Sequence, residues 1–197
     1  MPFEIEIKAW VDDREAVERK IDLLAVFYGE FDKQDVYWFP ISRNGAENGN
    51  ALPSSGVRIR RETLRIPGKD AETTTLVTYK TKEVRDGIEI NNEMEFTVDR
   101  ARVFEELLRR LGLKPGISKK KRGRSWKSGG MTIEVSEIEG LGCFIELEII
   151  AGDDSPETTA TAKNRLYAFL KQTGINEDRI ETRYYNDMLQ DRKTVFH

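Results

Sequence analysis

The chain has 197 residues, 38% hydrophobic and 34% charged, with a formal net charge of −3. That length can bury a real core, in one large domain or two small ones, and the acidic balance argues against a general nucleic-acid binder. A single cysteine, Cys143, excludes an internal disulfide. A single histidine, the terminal His197, sets aside Ser-His-Asp and Cys-His mechanisms, His-bearing zinc sites and HExxH proteases.

In chain order, "FEIEIKAW" at residues 3–10 alternates Glu4, Glu6 and Lys8 with Ile5, Ile7 and Ala9. A period of two predicts a strand with one apolar and one charged face. "DDREAVERKIDLLAVFYG" predicts a helix capped by Asp12 or Asp13, with Val17, Ile21, Leu24 and Tyr28 on one face. Strands follow at 35–40, 57–64, 75–83 and 89–98. Their separators are "RNGAENGNALPSSG" at 43–56, expected to be a mobile loop, then "IPGKD" and "RDG". "DRARVFEELLRRLG" predicts a helix that starts on Asp99, buries Phe104, Leu107, Leu108 and Leu111, and stops at Gly112. Strands at 116–124, 131–137 and 144–150 come next. Ser155 then caps a helix with Pro156 in its first turn and Gly174 as its stop, and a short last helix covers "RIETRYYNDMLQ".

About eight strands with hairpin-like links predict an α+β fold, mainly antiparallel β: an eight-stranded closed, tunnel-like barrel with flanking helices, as one domain over 1–197. The strand types recur coarsely, which hints at two similar halves. No run approaches the ~18 apolar residues of a membrane helix, and "MPFEIEIKAW" has neither the basic nor the apolar region of a signal peptide, so neither a membrane nor a secreted setting is expected. With one cysteine, a reducing cytoplasm is the expected location.

The charges come in i, i+2 pairs. Glu4/Glu6, Glu93/Glu95 and Glu146/Glu148 are acidic; Arg58/Arg60, Lys80/Lys82 and Lys120/Arg122, with Lys8, are basic. Members of a pair project from one strand face, and most of the residues between them are apolar. With the helices supplying a core for the apolar face, the charged face lines the concave side of the barrel. So many charges inside a barrel require water and ions to compensate them. Arg and Lys suit phosphate oxygens, and paired glutamates suit Mg2+ or Mn2+, hard cations that prefer oxygen. Both signs on common faces point to metal-dependent triphosphate chemistry, although any one pair taken alone reads more readily as a solvated strand face with cross-strand ion pairs. Tyr37, Trp38 and Phe39 fit either a ring-stacking platform or a core. "KKKRGR" has no aromatic platform beside it and does not read as an RNA site.

These residues resemble the CYTH group of triphosphate tunnel metalloenzymes, which includes class IV adenylyl cyclases, thiamine triphosphatases and inorganic triphosphatases. The signature E-x-E-x-K stands as Glu4-Ile-Glu6-Ile-Lys8 and the D-x-Y segment as Asp35-Val-Tyr37. "VRIR" carries Arg58 and Arg60, "LVTYK" ends at Lys80, E-x-E is Glu93-Met-Glu95, K-x-R is Lys120-Lys-Arg122, and "IEGLGCFIELE" closes the set. The ordered match runs through essentially the whole chain.

The resemblance implies a tunnel in which Glu4, Glu6, Glu146, Glu148 and Glu95 hold Mg2+ or Mn2+. Lys8, Arg58, Arg60, Lys80, Lys120 and Arg122 would bind phosphate, joined by Lys82 from the charge pattern; the register of "ISKKKRGRSW" leaves Lys119 or Lys121 open in place of Lys120, and Arg124 in place of Arg122. Lys8 and Tyr37 would assist proton transfer. It implies a small-molecule triphosphate as substrate and allows a homodimer, with no nucleic acid or membrane partner. Hydrolysis is the favoured reaction and cyclisation of ATP the alternative; a non-catalytic polyphosphate or nucleotide binder is a third reading. Two positions depart from the family pattern: Ser136 stands where an Asp is usual, with Glu134 on the same strand face, and Asn91 stands where a basic residue is usual.

Overall fold

The computed structural model describes residues 3–41, 56–85 and 87–195, without the side chains of Lys80, Lys82 and residues 193–195. The loop expected at 43–56 lies outside the described residues up to Gly56, as does His197. The order of elements is β1 (Phe3–Trp10), α1 (Arg14–Leu24), β2 (Val26–Pro40), β3 (Gly56–Arg65), β4 (Glu72–Arg85), β5 (Ile88–Thr97), α2 (Ala101–Arg110), β6 (Leu113–Ser128), β7 (Met131–Ile138), β8 (Gly142–Ala151), α3 (Pro156–Thr173) and α4 (Tyr185–Val195).

All eight strands pair antiparallel and close into a barrel in the order β1-β5-β4-β3-β2-β6-β7-β8. β1-α1-β2-β3-β4 and β5-α2-β6-β7-β8 follow one plan: a strand, a helix, then a three-stranded meander. The two similar halves hinted at by the strand types thus take a definite topological form.

The main core lies outside the barrel wall. Ile5 and Ile7 of β1, Ile133 and Val135 of β7, and Ile145 and Leu147 of β8 point outward. They pack with Val17 and Ile21 of α1 and with Ala162, Leu166, Phe169 and Leu170 of α3. The apolar residues of the alternating strands are therefore spent on the helices, and their charged partners are left to the lumen. A second cluster puts Trp38, Ile59 and Val77 under Leu108 of α2, so Trp38 is a core residue.

Three helix expectations are corrected. α1 ends at Leu24 because Ala25 is already extended and "VFYGEFDKQDVYWFP" continues as a strand of 15 residues. Tyr28 therefore belongs to β2 and is exposed. Asp13 supplies the α1 cap, accepting from Ala16 N at 2.9 Å. α2 starts after Arg100 with no side-chain cap. It buries only Leu108, while Leu107 and Leu111 are exposed. The short last helix lies at Tyr185–Val195, downstream of its expected start. Ser155 and Gly174 cap α3 as expected, the glycine in the left-handed region at φ 83°. Among the described residues no helix is long and apolar enough to cross a membrane.

Candidate functional site

Alternation carries the charges of seven strands into one lumen. Glu4, Glu6 and Lys8 of β1 reach it, with Arg58, Arg60 and Glu62 of β3 and Glu89, Glu93 and Glu95 of β5. Lys33 and Tyr37 enter from β2, Lys119 and Lys121 from β6, Glu134 from β7, and Glu146 and Glu148 from β8. The cavity has a volume of about 200 Å³. At ~30 Å³ per water it holds on the order of six or seven waters, so it is wet.

The charges are sorted by wall. The neighbouring strands β7, β8, β1 and β5 present carboxylates, and β3, β2 and β6 opposite them present most of the cations. Lys8 and Glu62 cross that division. Each described cation of the lumen is held by acid. Arg60 donates to both Asp35 oxygens, at 2.7 and 2.9 Å, and Lys119 lies 3.4 Å from the same carboxylate. Lys33 donates to Glu134 at 2.7 Å, and Lys121 sits between Glu134, at 2.7 Å, and Glu146. Lys8 pairs with Glu89. Arg58 donates to Thr78 Oγ1, which donates in turn to Glu95, and lies 3.5–3.6 Å from Glu95 and Glu93.

Burial alone would push the Asp35 carboxyl up, but Arg60 and Lys119 beside it hold it well below the usual carboxylate range. Glu134 is depressed in the same way, with Lys121 and Lys33 overcoming its burial. Burial draws Lys121 down to about 8, with nearby Lys33 and Lys119 in the same direction and Glu134 against it. Burial, with Glu6, Glu89 and Glu134 nearby, pushes the Tyr185 hydroxyl well above its ordinary value and keeps it protonated.

Three of the five expected metal ligands converge. One carboxylate oxygen from each of Glu4, Glu6 and Glu148 lies within 4.8 Å of the other two, because Glu4 and Glu6 share a face of β1 and Glu148 is the register partner of Glu6. Three convergent oxygens suit a hard divalent cation. Glu146 and Glu95 also line the lumen but stand outside this group, tied to Lys121 and to Thr78.

Lys8, Tyr37, Arg58 and Arg60 all line the lumen as expected. Lys80 and Lys82 are placed by backbone register alone, opposite Glu93 and Asn91; their side chains lie outside the described ones. Lys120 and Arg122 are corrected. Lys120 is exposed and pairs with Glu139 on the outer surface, and Arg122 is exposed as well. β6 turns Lys119 and Lys121 inward instead. The register is consistent with Gly123, opposite Ser136, where a Cβ would lie 2.2 Å from the Val135 carbonyl oxygen. A slip of one residue would bring Arg122 or Arg124 to that close approach.

Sequence reasoning also missed Lys33, Glu62 and Glu89, and the two tyrosines of the last helix region, Tyr184 and Tyr185, which line the lumen. The signal for Lys33 was its i, i+2 spacing from Asp35. Glu134 does occupy the lumen wall, while Ser136 is buried, its hydroxyl without a hydrogen-bond partner among the described residues.

The model of the CYTH domain matches residues 2–185. This chain belongs to the CYTH family. A Methanocaldococcus jannaschii protein named "Putative adenylate cyclase" is 25% identical over 187 residues, covering 94% of this chain and 98% of its own. Among solved structures, one Pyrococcus horikoshii protein is 28% identical with a TM-score of 0.72, covering 94% of this chain and 98% of its own. Another from the same organism superposes with a TM-score of 0.75 at 23% identity, covering 96% and 99%. The CYTH barrel and its convergent glutamates equip this chain for metal-assisted phosphate chemistry.

Proposed function

We propose that the protein is a Mg2+- or Mn2+-dependent triphosphatase that seats the phosphate chain of a small triphosphate between the two walls of the lumen. The observation that carries this reading is the sorting of charge: a convergent glutamate trio on one side and a bank of Arg and Lys on the other. Nine glutamates stand with six Lys and Arg among the described lining residues, a count that leaves out the side chains of Lys80 and Lys82. A divalent cation at the glutamate trio would offset the carboxylate charge that faces an incoming triphosphate.

Glu4, Glu6 and Glu148 would hold the cation. Bound there, it supplies charge neutralisation on the phosphate oxygens and a readily deprotonated water. Arg58, Arg60, Lys119 and Lys121 exchange resident carboxylates for phosphate oxygens, keeping developing charge compensated as the P–O bond breaks. Lys8 and Tyr37, which line the same lumen, would move the proton during in-line attack by water.

Cyclisation of ATP is the second reading, favoured by the name of the archaeal relative. Hydrolysis is preferred because it needs no dedicated grip on adenine and ribose, whereas cyclisation would have to draw that grip from Leu76 and the tyrosines Tyr37, Tyr184 and Tyr185 among the described lining residues.

Incubation with Mn2+ or Mg2+ and, separately, ATP, thiamine triphosphate and tripolyphosphate should release orthophosphate. Cyclic AMP with pyrophosphate would overturn hydrolysis, and tight binding without turnover would make the protein a binder. In the same assay Lys119→Ala should raise KM roughly tenfold or more, as expected for a lost charge-assisted contact. Lys120→Ala should stay within about twofold, because that side chain faces outward; a larger effect of Lys120→Ala would reject the observed β6 register.

Lys121 gives a pH signature with two opposite arms. Its folded-state value of about 8 lies below the ordinary 10.5. Between those values the unfolded chain holds the extra proton, so the Lys121 contribution makes the empty protein more stable as pH rises. Tripolyphosphate affinity should fall over the same window as the cation is lost. Thermal melts and titration calorimetry from pH 7 to 10.5 measure both arms, and Lys121→Gln should flatten them. Identical profiles for Lys121→Gln and the unaltered protein would remove Lys121 from the phosphate site.

A further inference from the structure

One end of the barrel is filled by apolar side chains. Ile138 of β7, Phe144 of β8 and Leu141 between them pack with Tyr185 and Met188 of α4, and Trp10 and Leu189 border the cluster. The approach to α4 is pinned to β1. Ile180 bridges to Ala9, Glu181 N donates to the Lys8 carbonyl at 2.9 Å, and Trp10 Nε1 donates to the Glu181 carboxylate at 3.3 Å. α4 is thus a fixed stopper rather than a loose tail.

Tyr185 belongs both to this stopper and to the lumen wall. The residue is 8% exposed, and its hydroxyl is buried with no hydrogen-bond partner among the described residues. Its ring stands between two lumen cations, Lys8 Nζ at 5.5 Å and Lys119 Nζ at 5.0 Å from the centroid. Those contacts, and the packing against Phe144 at 5.0 Å, need only the ring; phenylalanine would provide them without stranding a polar group. A buried hydroxyl left unpaired carries its full desolvation cost. Lys8 and Lys119 are occupied by Glu89 and Asp35 in the empty lumen, whereas this donor is held in reserve.

We propose that Tyr185 is a substrate-binding residue whose hydroxyl donates to the phosphoryl group that enters deepest, so that α4 gauges the length of the phosphate chain. The inference rests on the triphosphate reading above and adds a length-selecting contact to it. A phosphate oxygen is the acceptor the hydroxyl lacks, and Lys8 and Lys119 bring positive charge to the same place. Tyr185 lies beside Lys8, and Glu6 and Glu4 of the trio stand two and four residues away along β1 at ~3.3 Å per residue, so a chain one phosphoryl unit shorter, anchored at the trio, would stop short of the contact.

The test is Tyr185→Phe, which keeps the ring and deletes only the hydroxyl. In Mn2+-containing buffer, titration calorimetry should show tripolyphosphate binding weakened about tenfold, in the range of a hydrogen bond to a charged acceptor, and pyrophosphate binding changed less than twofold. The melting temperature of the metal-free variant should equal or exceed that of the unaltered protein, since an unpaired polar group has gone. Unchanged tripolyphosphate affinity would overturn the proposal. So would equal weakening of both anions together with a lower melting temperature, which would mark the hydroxyl as part of the protein's own packing. If the unaltered protein binds neither anion, the triphosphate reading falls and takes this inference with it. If it binds tripolyphosphate and Tyr185→Phe binds it equally well, only the inference falls.

Discussion

Converting Glu4 and Glu6 together to glutamine should lower metal-dependent triphosphate turnover by roughly a thousandfold or more, because metal stabilisation of phosphoryl transfer is worth several kcal/mol. Two of the three convergent carboxylates would become neutral amides of the same shape, and Glu148 alone is a weak ligand for a divalent cation. The fold should not suffer. Both side chains project into the wet lumen, where glutamine keeps the shape and the hydrogen-bonding reach of glutamate. Turnover and thermal melts in metal-free buffer, measured on the same preparation, separate the two effects. Full activity in the double variant would move the metal off this trio, and a lower metal-free melting temperature would show that the glutamates act as structural ion-pair partners.

Much of this lumen was legible because β1, β3, β5 and β8 alternate cleanly. In "FEIEIKAW" a charge every second residue and an Ile or Ala between leaves one arrangement that buries the apolar set, and a slip of one residue would expose all of it. β6 offers no such guide. Lys119, Lys120 and Lys121 are consecutive and alike, so hydrophobic alternation cannot say which face is inner. The cross-sheet contact at Gly123 does discriminate, because an arginine slipped into that place would meet the β7 backbone. A family pattern laid over that run lands one residue out, and one residue is enough to reverse the face.

The boundary of α1 was illegible for a related reason. Leu24 and Tyr28 continue the helical spacing of Val17 and Ile21, yet Val26, Phe27 and Tyr28 equally suit a strand. Tertiary pairing decided, with Val26 and Phe27 registering against Lys127 and Trp126 of β6. Amphipathic spacing also predicted which residues of α2 are apolar but not which are covered. Only one stripe of that helix meets the Trp38 cluster, and Leu107 and Leu111 fall outside it. Lys33, Glu62 and Glu89 escaped because each lacks a like-charged residue two positions away, the pattern by which most of the recognised charged lumen residues were found.

Asp35→Asn tests the basic wall from within. Asp35 has a side-chain exposure of 0% and neutralises Arg60 and Lys119 together, themselves 13% and 7% exposed. Asparagine keeps the shape and one acceptor for Arg60 but removes the charge, leaving two buried cations uncompensated. Breaking a buried pair from one side costs about 3–5 kcal/mol, which for a chain of this size lowers the melting temperature by roughly 10 °C. The same lesion should make the variant more responsive to its ligand. A phosphate chain would supply the missing anion beside Arg60 and Lys119, so Mn2+ with tripolyphosphate should raise the melting temperature of Asp35→Asn by more than that of the unaltered protein. Differential scanning calorimetry with and without ligand gives both quantities. A destabilised variant with an ordinary ligand shift would place Arg60 and Lys119 in a structural ion cluster beside the phosphate path. The predicted surplus would show that Asp35 holds, in the empty tunnel, the position that a phosphate oxygen takes on binding.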